Sequence, residues 1–200
     1  SEINAQQPSN PAQLRSLGVA HVPEDRHKCG IILPFSAAES MILGYSSGDG
    51  QNGGWWLSPS ELETNCADRM QDFDIRPPLP KLASANFSGG NQQKIVLARE
   101  ISTQPKLLLV GQPTRGVDIG AIEFIHKQLI ALRNKGCAIL LVSVELDEIM
   151  SLSDRILVMN NGQMVGELAR DEADEQRLGL MMAGIGADDG VTASQMGAKS

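Results

Sequence analysis

The second half of the chain alternates short apolar runs with helical patterns, and this alternation restricts the fold more than any other feature. Residues 106–110 and 137–142 are almost continuously apolar, which predicts two buried strands. Between them, apolar side chains recur at helical spacing and predict a helix; they are Ile122, Ile125, Leu129 and Leu132. Buried strands that are connected by helices form parallel sheets. We therefore predict an α/β fold, with a mainly parallel sheet that helices cover on both faces.

The sequence on either side of this core adds further elements. Residues 17–22 predict another strand, which Pro23 ends, and residues 24–29 predict a charged loop. Residues 1–15 suit a loop, a frayed terminus or an edge strand. The turn sequence at residues 160–162 is Asn-Asn-Gly, which predicts a β-hairpin.

Residues 35–84 differ in character and predict a helical insert. Ser36 and Glu39 have the spacing of a capping box, so a helix is expected to begin there. A second helix is expected to begin after Ser58, because a proline follows that serine and suits the first helical turn. Five glycines lie in residues 44–54, which predicts a flexible turn region.

Composition excludes several classes of function. Lys and Arg number 17 against 24 Asp and Glu, and the resulting net charge of −7 disfavours binding to a nucleic-acid backbone. Aromatic residues make up only 4 %, too few for rows of base-stacking side chains. No membrane span or secretory leader is evident, and three scattered cysteines suit reduced cytosolic thiols. We expect no nucleic-acid partner and no metal site.

Three polar loops are the candidate sites of chemistry. Ser88, Gly89, Gly90 and Asn91 precede a helix that we predict over residues 92–102. The two glycines let the backbone approach a ligand closely, and the free N–H groups and dipole of a helix start favour an anion. The other two loops follow the two buried strands, at the edge where open α/β sheets bind ligands.

These loops, in this order, resemble the nucleotide-binding domains of ABC transporters. The matching segments are residues 22–26 (Q-loop region), 87–93 (signature motif), 107–112 (Walker B strand), 116–118 (D-loop) and 143–145 (H-loop). The resemblance covers residues 17–168. Residues 112–126 and 142–149 look most like the second domain of nucleoside importers. Ribose- or galactose-type sugar importers are a close alternative, because they share the Pro-Glu-Asp-Arg sequence of residues 23–26.

Two other classes of protein fit less of the sequence. ABC-fold ATPases of DNA maintenance or translation carry long heptad insertions or basic arms, and residues 35–84 show neither. A non-catalytic scaffold domain would not need the intact Ser88-Gly-Gly sequence. The resemblance therefore implies the ATPase subunit of a bacterial ABC importer, which couples ATP binding and hydrolysis to nucleoside uptake.

Departures from the family pattern imply that the chain's own nucleotide site is degenerate. Gly111 replaces the Walker B Asp that supports Mg²⁺, Gln112 replaces the Glu that polarises the attacking water, and Val144 replaces the H-loop His. Glu24 stands at the Q-loop position. The sequence has no Gly-x-x-x-x-Gly-Lys-Ser/Thr motif, so the resemblance implies a chain truncated at its N-terminal side. We expect no catalytic residue in this chain and no ATP hydrolysis by the chain alone.

The signature motif, by contrast, is intact, and the resemblance implies that it acts on a partner's nucleotide. The residues expected to bind that ATP in trans are Ser88, Gly89, Gly90, Asn91 and Gln92. Asp118 is the D-loop residue of the same composite site. ATP and Mg²⁺ are expected only there, with the first nucleotide-binding domain of the same polypeptide as the partner.

The resemblance also implies a place in a larger assembly. The helical subdomain would contact transmembrane permease subunits, and a substrate-binding protein would act indirectly. The protein would then lie peripherally on the cytoplasmic face of a bacterial cell membrane.

We predict four parts along the chain. Residues 1–34 form the N-terminal part of the ATPase core with the Q-loop-like region, and residues 35–86 form the helical subdomain. Residues 87–170 carry the signature, Walker B-like, D-loop and H-loop-like segments. Residues 171–200 form a C-terminal tail, which we predict to be disordered from residue 186.

Overall fold

The structure, a computed structural model, describes residues 10–45 and 58–184. The chain divides into two compact units, Ser1–Val142 and Ser143–Ser200. Most of the predicted turn region, and the tail from residue 186, lie outside the described residues. Within the described part, no helix combines the length and the apolar character that crossing a membrane requires.

Three parallel strands form the sheet of the first unit, in the order β1, β2, β3. They are β1 (Val19–Val22), β2 (Leu107–Gly111) and β3 (Ala138–Val142). Val22 pairs with Val110, and Gly111 pairs with Val142, so the carboxyl ends of the strands meet at one edge. The predicted α/β fold with a parallel sheet and flanking helices is confirmed.

Strand β3 differs from the prediction, because the apolar side chains on one of its faces are exposed. Leu140 is 53 % exposed and Val142 is 59 % exposed, whereas Ile139 and Leu141 on the other face are half-buried. Leu140 pairs with the half-buried Leu109 of β2 and Ile139 pairs with the buried Leu108, so the same face is the better covered one on both strands. An apolar run predicts a strand but does not tell whether other elements cover it. The prediction of a sheet covered on both faces is therefore wrong at β3.

The helices of the first unit begin where side chains satisfy their first N–H groups. Its helices are α1 (Pro11–Ser16), α2 (Ala37–Ser40), α3 (Pro59–Asp72), α4 (Gly89–Ile101) and α5 (Ile119–Asn134). The predicted capping box of Ser36 and Glu39 is confirmed at the start of α2. Ser58 and Glu61 form a second capping box at the start of α3, where a helix was also predicted.

Two segments are more regular than the sequence predicted. Helix α1, capped by the Asn10 side chain, lies where we expected a loop, a frayed terminus or an edge strand. A single helical turn, Arg26–Gly30, lies in the predicted charged loop. The Asp25 carboxylate accepts hydrogen bonds from the amides of His27 and Lys28, each at 3.0 Å, and so caps that turn.

Helix α4 forms the centre of the first unit. Residues 95–98 are fully buried, so the helix is covered on all sides. It begins three residues earlier than predicted, because Ser88 caps it at Gly89. Helix α5 packs through Ile125, Leu129 and Leu132, as its spacing predicted.

The two ends of the predicted helical subdomain lie side by side. The Ser84 N–H donates to the Phe35 carbonyl oxygen at 2.7 Å, and the Ala37 N–H donates to the Leu82 oxygen at 2.9 Å. Helices α2 and α3 lie between these ends, so the predicted helical character is confirmed. The boundaries of the four predicted parts stay predictions.

The second unit is a β-hairpin with short helices. It contains α6 (Leu146–Leu152), β4 (Arg155–Asn160), β5 (Gln163–Ala169) and α7 (Glu175–Met182). Asn161 and Gly162 have φ angles of 48° and 76°, which suit a tight hairpin turn, and the predicted hairpin is confirmed. The apolar core of this unit consists of Ile156, Val158, Leu168, Leu178 and Met181.

Candidate functional site

The hydroxyl of Ser88 is placed to donate a hydrogen bond outward. Its oxygen accepts hydrogen bonds from the Asn91 backbone N–H at 3.4 Å and from Asn91 Nδ2 at 2.9 Å. These donors occupy both lone pairs of the hydroxyl oxygen, which leaves its proton free. The side chain is exposed, and no described residue accepts that proton. Ser88 therefore offers a donor to a ligand at the start of a 13-residue helix, where the dipole favours an anion.

The two glycines of the loop allow close packing inside the chain. A Cβ atom on Gly89 would lie 2.8 Å from Arg26 Nη2 and 2.9 Å from the Gly116 oxygen. A Cβ atom on Gly90 would lie 2.8 Å from Asp118 Oδ2. Residues 87–91, which we call the signature loop, therefore lie directly against residues 115–118, which we call the D-loop segment.

Asp118 belongs to this junction and also begins a helix. Its Oδ1 accepts a hydrogen bond from the Ala121 N–H at 2.9 Å and caps α5. The residue is exposed, so its other carboxylate oxygen remains accessible beside Gly90. The structure thus brings the predicted D-loop residue and the predicted signature residues together.

Gln92 differs from the other predicted ATP contacts because its side chain is buried. Its Nε2 donates to the Ser84 oxygen at 3.0 Å, and its Oε1 lies 2.8 Å from His27 Nε2. Its backbone N–H donates to the backbone carbonyl oxygen of Ser88 at 2.8 Å. Gln92 therefore holds the signature helix to neighbouring segments, and its contact with ATP stays a prediction.

The Walker B-like position has no side chain, and another segment fills the space beside it. A Cβ atom on Gly111 would lie 3.3 Å from the backbone nitrogen of Glu24 and 3.4 Å from its Cβ. The Glu24 carboxylate is itself paired, since it accepts a hydrogen bond from Arg115 Nη1 at 2.6 Å. No cluster of three His, Cys, Asp or Glu suited to a metal occurs in the described residues. These residues do not fit a Mg²⁺ ion.

Gln112 and Val144 stand where the resemblance implies catalytic side chains. Gln112 has a φ angle of 44°. Its backbone N–H donates to the Val142 carbonyl oxygen at 2.8 Å, and its backbone carbonyl oxygen accepts from the Arg115 backbone N–H at 3.1 Å. This bonding fixes the turn that follows β2. Val144 belongs to the second unit, in the loop before α6, and its side chain is 62 % exposed.

Two residues at the signature loop escaped the sequence analysis. The backbone N–H of Arg76 donates to Asn91 Oδ1 at 2.8 Å and so orients the amide that bonds to Ser88. Lys94 is buried, and its Nζ donates to the Asp74 backbone carbonyl oxygen at 2.9 Å and lies 4.6 Å from the centre of the Phe124 ring. The side-chain hydrogen bond from Arg76, and then the charge of Lys94, lower the pKa of Asp74. No local sequence signal links residues 74–76 to this loop.

A cleft of about 390 Å³ adjoins the same loop. Its charged lining consists of Asp74, Arg76, Lys94, Asp118, Glu123 and Lys127. Three cations face three anions, so the cleft itself does not select an anionic ligand. The preference for an anion comes from Ser88 and the start of α4.

Curated proteins of known name match most of the chain. Over 174 residues it is 41 % identical to the nucleoside import ATP-binding protein NupA of Lactococcus lactis subsp. cremoris, a match that covers 87 % of this chain and 34 % of NupA. It is also 41 % identical over 184 residues to the guanosine import ATP-binding protein NupO of Bacillus subtilis, covering 91 % and 36 % of the two chains. The chain spans about a third of the length of these relatives. No family model matches the chain.

Solved structures agree with this assignment at the level of the fold. An ATP-binding cassette of an ABC transporter superposes with a TM-score of 0.67 at 21 % identity, covering 88 % of this chain and 70 % of that one. A dimeric cassette in a post-hydrolysis state, bound to ADP and Pi, superposes with a TM-score of 0.65 at 19 % identity, covering 79 % and 65 %. Over most of its length the chain is thus similar in sequence to ATP-binding proteins of ABC importers, and it shares the fold of ABC ATP-binding cassettes.

Proposed function

We propose that the chain is the second nucleotide-binding domain of the ATPase subunit of a bacterial ABC importer, and that it lends its signature loop to ATP held by the first domain. The observation that carries this proposal is the Ser88 hydroxyl, which is exposed and has a free proton at the start of α4. A donor of this kind suits the γ-phosphate of a nucleotide on a facing surface.

The dimeric neighbour supports the same arrangement. That cassette was solved as a dimer with ADP and Pi, so its fold pairs in the presence of nucleotide products. In the proposed pair, Ser88 and the first N–H groups of α4 would meet the phosphate, and Asp118 would lie at the edge of the same contact. ATP and Mg²⁺ would be held by the partner domain.

The chain's own site would contribute little to hydrolysis. Gly111 offers no ligand to Mg²⁺, and Glu24 is already bonded to Arg115. Gln112 orients a water molecule but cannot take its proton as a carboxylate does, and such a loss typically costs about 10²–10⁴-fold in rate. Val144 offers no hydrogen bond to a phosphate. We therefore propose an asymmetric pair with one active site and one degenerate site.

Nucleoside uptake is the proposed process, because NupA and NupO are named for nucleoside and guanosine import. Sugar uptake is the second candidate. A glucose import ATP-binding protein of Haloferax volcanii is 40 % identical over 180 residues, and an arabinose import protein of Pseudomonas syringae is 40 % identical over 174. In either case residues 35–86 would contact the permease at the cytoplasmic face of the membrane, and a substrate-binding protein would act indirectly.

The test measures ATP binding and hydrolysis by the chain alone and after addition of a purified first nucleotide-binding domain of a nucleoside importer. We expect no turnover alone, turnover on mixing, and a loss of about 10²-fold or more with Ser88→Arg. Ser60→Arg makes the same change at an exposed serine of α3 and should leave turnover intact. ATP-dependent pairing that survives Ser88→Arg would instead indicate a scaffold. Turnover by the chain alone would contradict the degenerate site.

A further inference from the structure

The guanidinium of Arg26 lies between three loops that the sequence places far apart. Arg26 begins the helical turn after β1. Its Nη1 donates to the Arg115 carbonyl oxygen at 2.9 Å, and its Nη2 lies 3.5 Å from the Gly116 oxygen. These two carbonyls belong to the D-loop segment. One side chain thus connects the loop after β1 to the loop after β2.

The signature loop rests on the same guanidinium. A Cβ atom on Gly89 would lie 2.8 Å from Arg26 Nη2 and 2.9 Å from the Gly116 oxygen, so any larger residue would push these groups apart. Gly89 follows Ser88, whose hydroxyl is the proposed donor to ATP. The position of Ser88 relative to the D-loop segment therefore depends on how Arg26 is held.

A second contact joins the same two loops, but here the donor belongs to the D-loop segment. Arg115 Nη1 donates to Glu24 Oε1 at 2.6 Å, but both side chains are more than half exposed. Exposed ion pairs contribute little to stability, because water and salt screen them. Arg26, which is half-buried, makes two contacts to backbone carbonyls through one planar group, and these are expected to contribute more than the single exposed ion pair.

The way in which Arg26 is buried lowers the stability that its hydrogen bonds provide. Its Nε is buried and has no hydrogen-bond partner among the described residues. Burial lowers the pKa of the Arg26 guanidinium, although Asp25 partly opposes that shift. A buried donor without a partner is unfavourable, so a merely structural residue at this position would be better served by a neutral side chain.

We propose that Arg26 is a positioning residue, which fixes the D-loop segment against the signature loop so that Ser88 and Asp118 meet a partner domain as one rigid surface. The expected effect on ATP turnover rests on the proposed function, whereas the contacts of Arg26 with the two loops lie within this chain. The planar guanidinium of an arginine can donate hydrogen bonds to two carbonyl oxygens at once. Lysine, with a single ammonium, cannot span both oxygens in the same way.

The first experiment measures amide hydrogen exchange of the 200-residue chain. Arg26→Lys and Arg26→Gln are expected to raise exchange about tenfold at the hydrogen-bonded amides of Gln92, Arg115 and Val117, because charge-assisted hydrogen bonds that hold the two loops together are lost. Exchange in the interior of α5 should stay unchanged. Lys28→Gln, a charge change at an exposed neighbour in the same turn, is the matched control. Unchanged exchange at both loops in both Arg26 variants would overturn the inference.

The second experiment measures turnover in the mixture with a first nucleotide-binding domain. Arg26→Lys should lower kcat about tenfold while the KM for ATP changes little, because ATP is bound by the partner and only the facing surface is displaced. Faster exchange with an unchanged kcat would overturn the positioning role. Absence of turnover with the unaltered chain would overturn the proposed function and, with it, the expected effect of Arg26 on kcat. The exchange experiment would still decide whether Arg26 joins the two loops.

Discussion

The phenol of Tyr45 donates a hydrogen bond to Glu100 Oε2 at 2.5 Å, and this contact ties the segment after α2 to the buried helix α4. Glu100 Oε1 accepts a second hydrogen bond from Arg99 Nε at 2.8 Å. Arg99 Nη1 in turn donates to the backbone carbonyl oxygens of Gly30, at 2.7 Å, and Ser40, at 3.1 Å. The signature helix is thereby bonded, at the end away from Ser88, to three separate segments.

Removing the Tyr45 hydroxyl should destabilise this network. In Tyr45→Phe the buried Glu100 carboxylate loses a donor, which typically costs about 1.5–3 kcal/mol for a hydrogen bond to a charged group. Urea unfolding of the chain measures the change. The matched comparison is Glu100→Gln, alone and combined with Tyr45→Phe. A coupling energy near zero in this double-mutant cycle would show that the two side chains do not interact in solution.

The same contact predicts a loss of stability at high pH. Burial, and then the charge of Glu100, raise the pKa of Tyr45 to about 12 from an ordinary value of 10. Between these values the folded chain keeps a proton that the unfolded chain has released, so the free energy of unfolding falls as the pH rises from 10 to 12. The stability difference between the native chain and Tyr45→Phe should shrink over that range. Since Tyr45 is the only tyrosine, ultraviolet titration of tyrosinate reports its pKa directly. A midpoint near 10 would contradict the contact.

Local sequence signals predicted the elements but not how they meet. The pair Ser36 and Glu39, and the Asn-Asn-Gly turn, lie within a few residues of the structures that they specify. The two glycines of the signature loop were interpreted as room for a ligand. In the structure they also make room for Arg26 and Asp118, which lie 63 residues before Gly89 and 28 residues after Gly90. Such contacts depend on tertiary packing, for which the sequence around the loop carries no signal.

The exposed strand β3 illustrates the same limit. Its apolar run is continuous, yet Leu140 is exposed while its neighbour Ile139, on the other face of the sheet, is half-buried. Hydrophobicity specifies which residues favour burial, whereas the elements that pack on each face decide whether burial is achieved. At the candidate site, the residue types and the resemblance indicated Ser88 and Gln92 as contacts of ATP, but neither indicated that the Gln92 side chain is buried and bonded to the Ser84 carbonyl oxygen. Its contact with ATP stays a prediction.

Gly90 should not tolerate even a methyl group. A Cβ atom there would lie 2.8 Å from Asp118 Oδ2 and 3.0 Å from Ala121 Cβ. We expect Gly90→Ala to lower the free energy of unfolding by about 1–3 kcal/mol through overpacking between α4 and α5. Gly120→Ala is the matched control at the start of α5. Its Cβ would meet Asp118 Oδ1 at an ordinary 3.4 Å, so it should raise stability by up to about 1 kcal/mol.

Chemical unfolding of both variants measures these changes. Ala121→Gly removes the second crowding atom but costs about 0.5–1 kcal/mol by itself. Gly90→Ala should therefore cost less when it is measured against Ala121→Gly than when it is measured against the native chain. Equal effects of Gly90→Ala and Gly120→Ala would mean that α4 and α5 do not approach each other as closely as the structure shows.

Restoring an aspartate at Gly111 should fail to restore a Mg²⁺ site. The new Cβ would lie 3.3 Å from the Glu24 nitrogen and 3.4 Å from Glu24 Cβ, so the substitution crowds Glu24 and adds a second negative charge to a site that already has one. We expect Gly111→Asp to lower the free energy of unfolding by about 1–3 kcal/mol. Gly111→Ala introduces the same Cβ without charge and should be less destabilising. Glu24→Gln combined with Gly111→Asp should recover the part of the loss that is due to repulsion.

Unfolding in the presence and absence of Mg²⁺ distinguishes a restored site from a crowded one. A bound ion stabilises the folded chain by an amount that grows with the logarithm of its concentration. We expect no such stabilisation in Gly111→Asp, because the Glu24 backbone lies 3.3 Å from the position of the new Cβ and a lone aspartate is a weak site for Mg²⁺. If millimolar Mg²⁺ stabilised Gly111→Asp but neither Gly111→Ala nor the native chain, the space beside β2 would have to be open. The absence of a Mg²⁺ site would then be due to the glycine at position 111 alone, and not to the packing of the loop after β1 against β2.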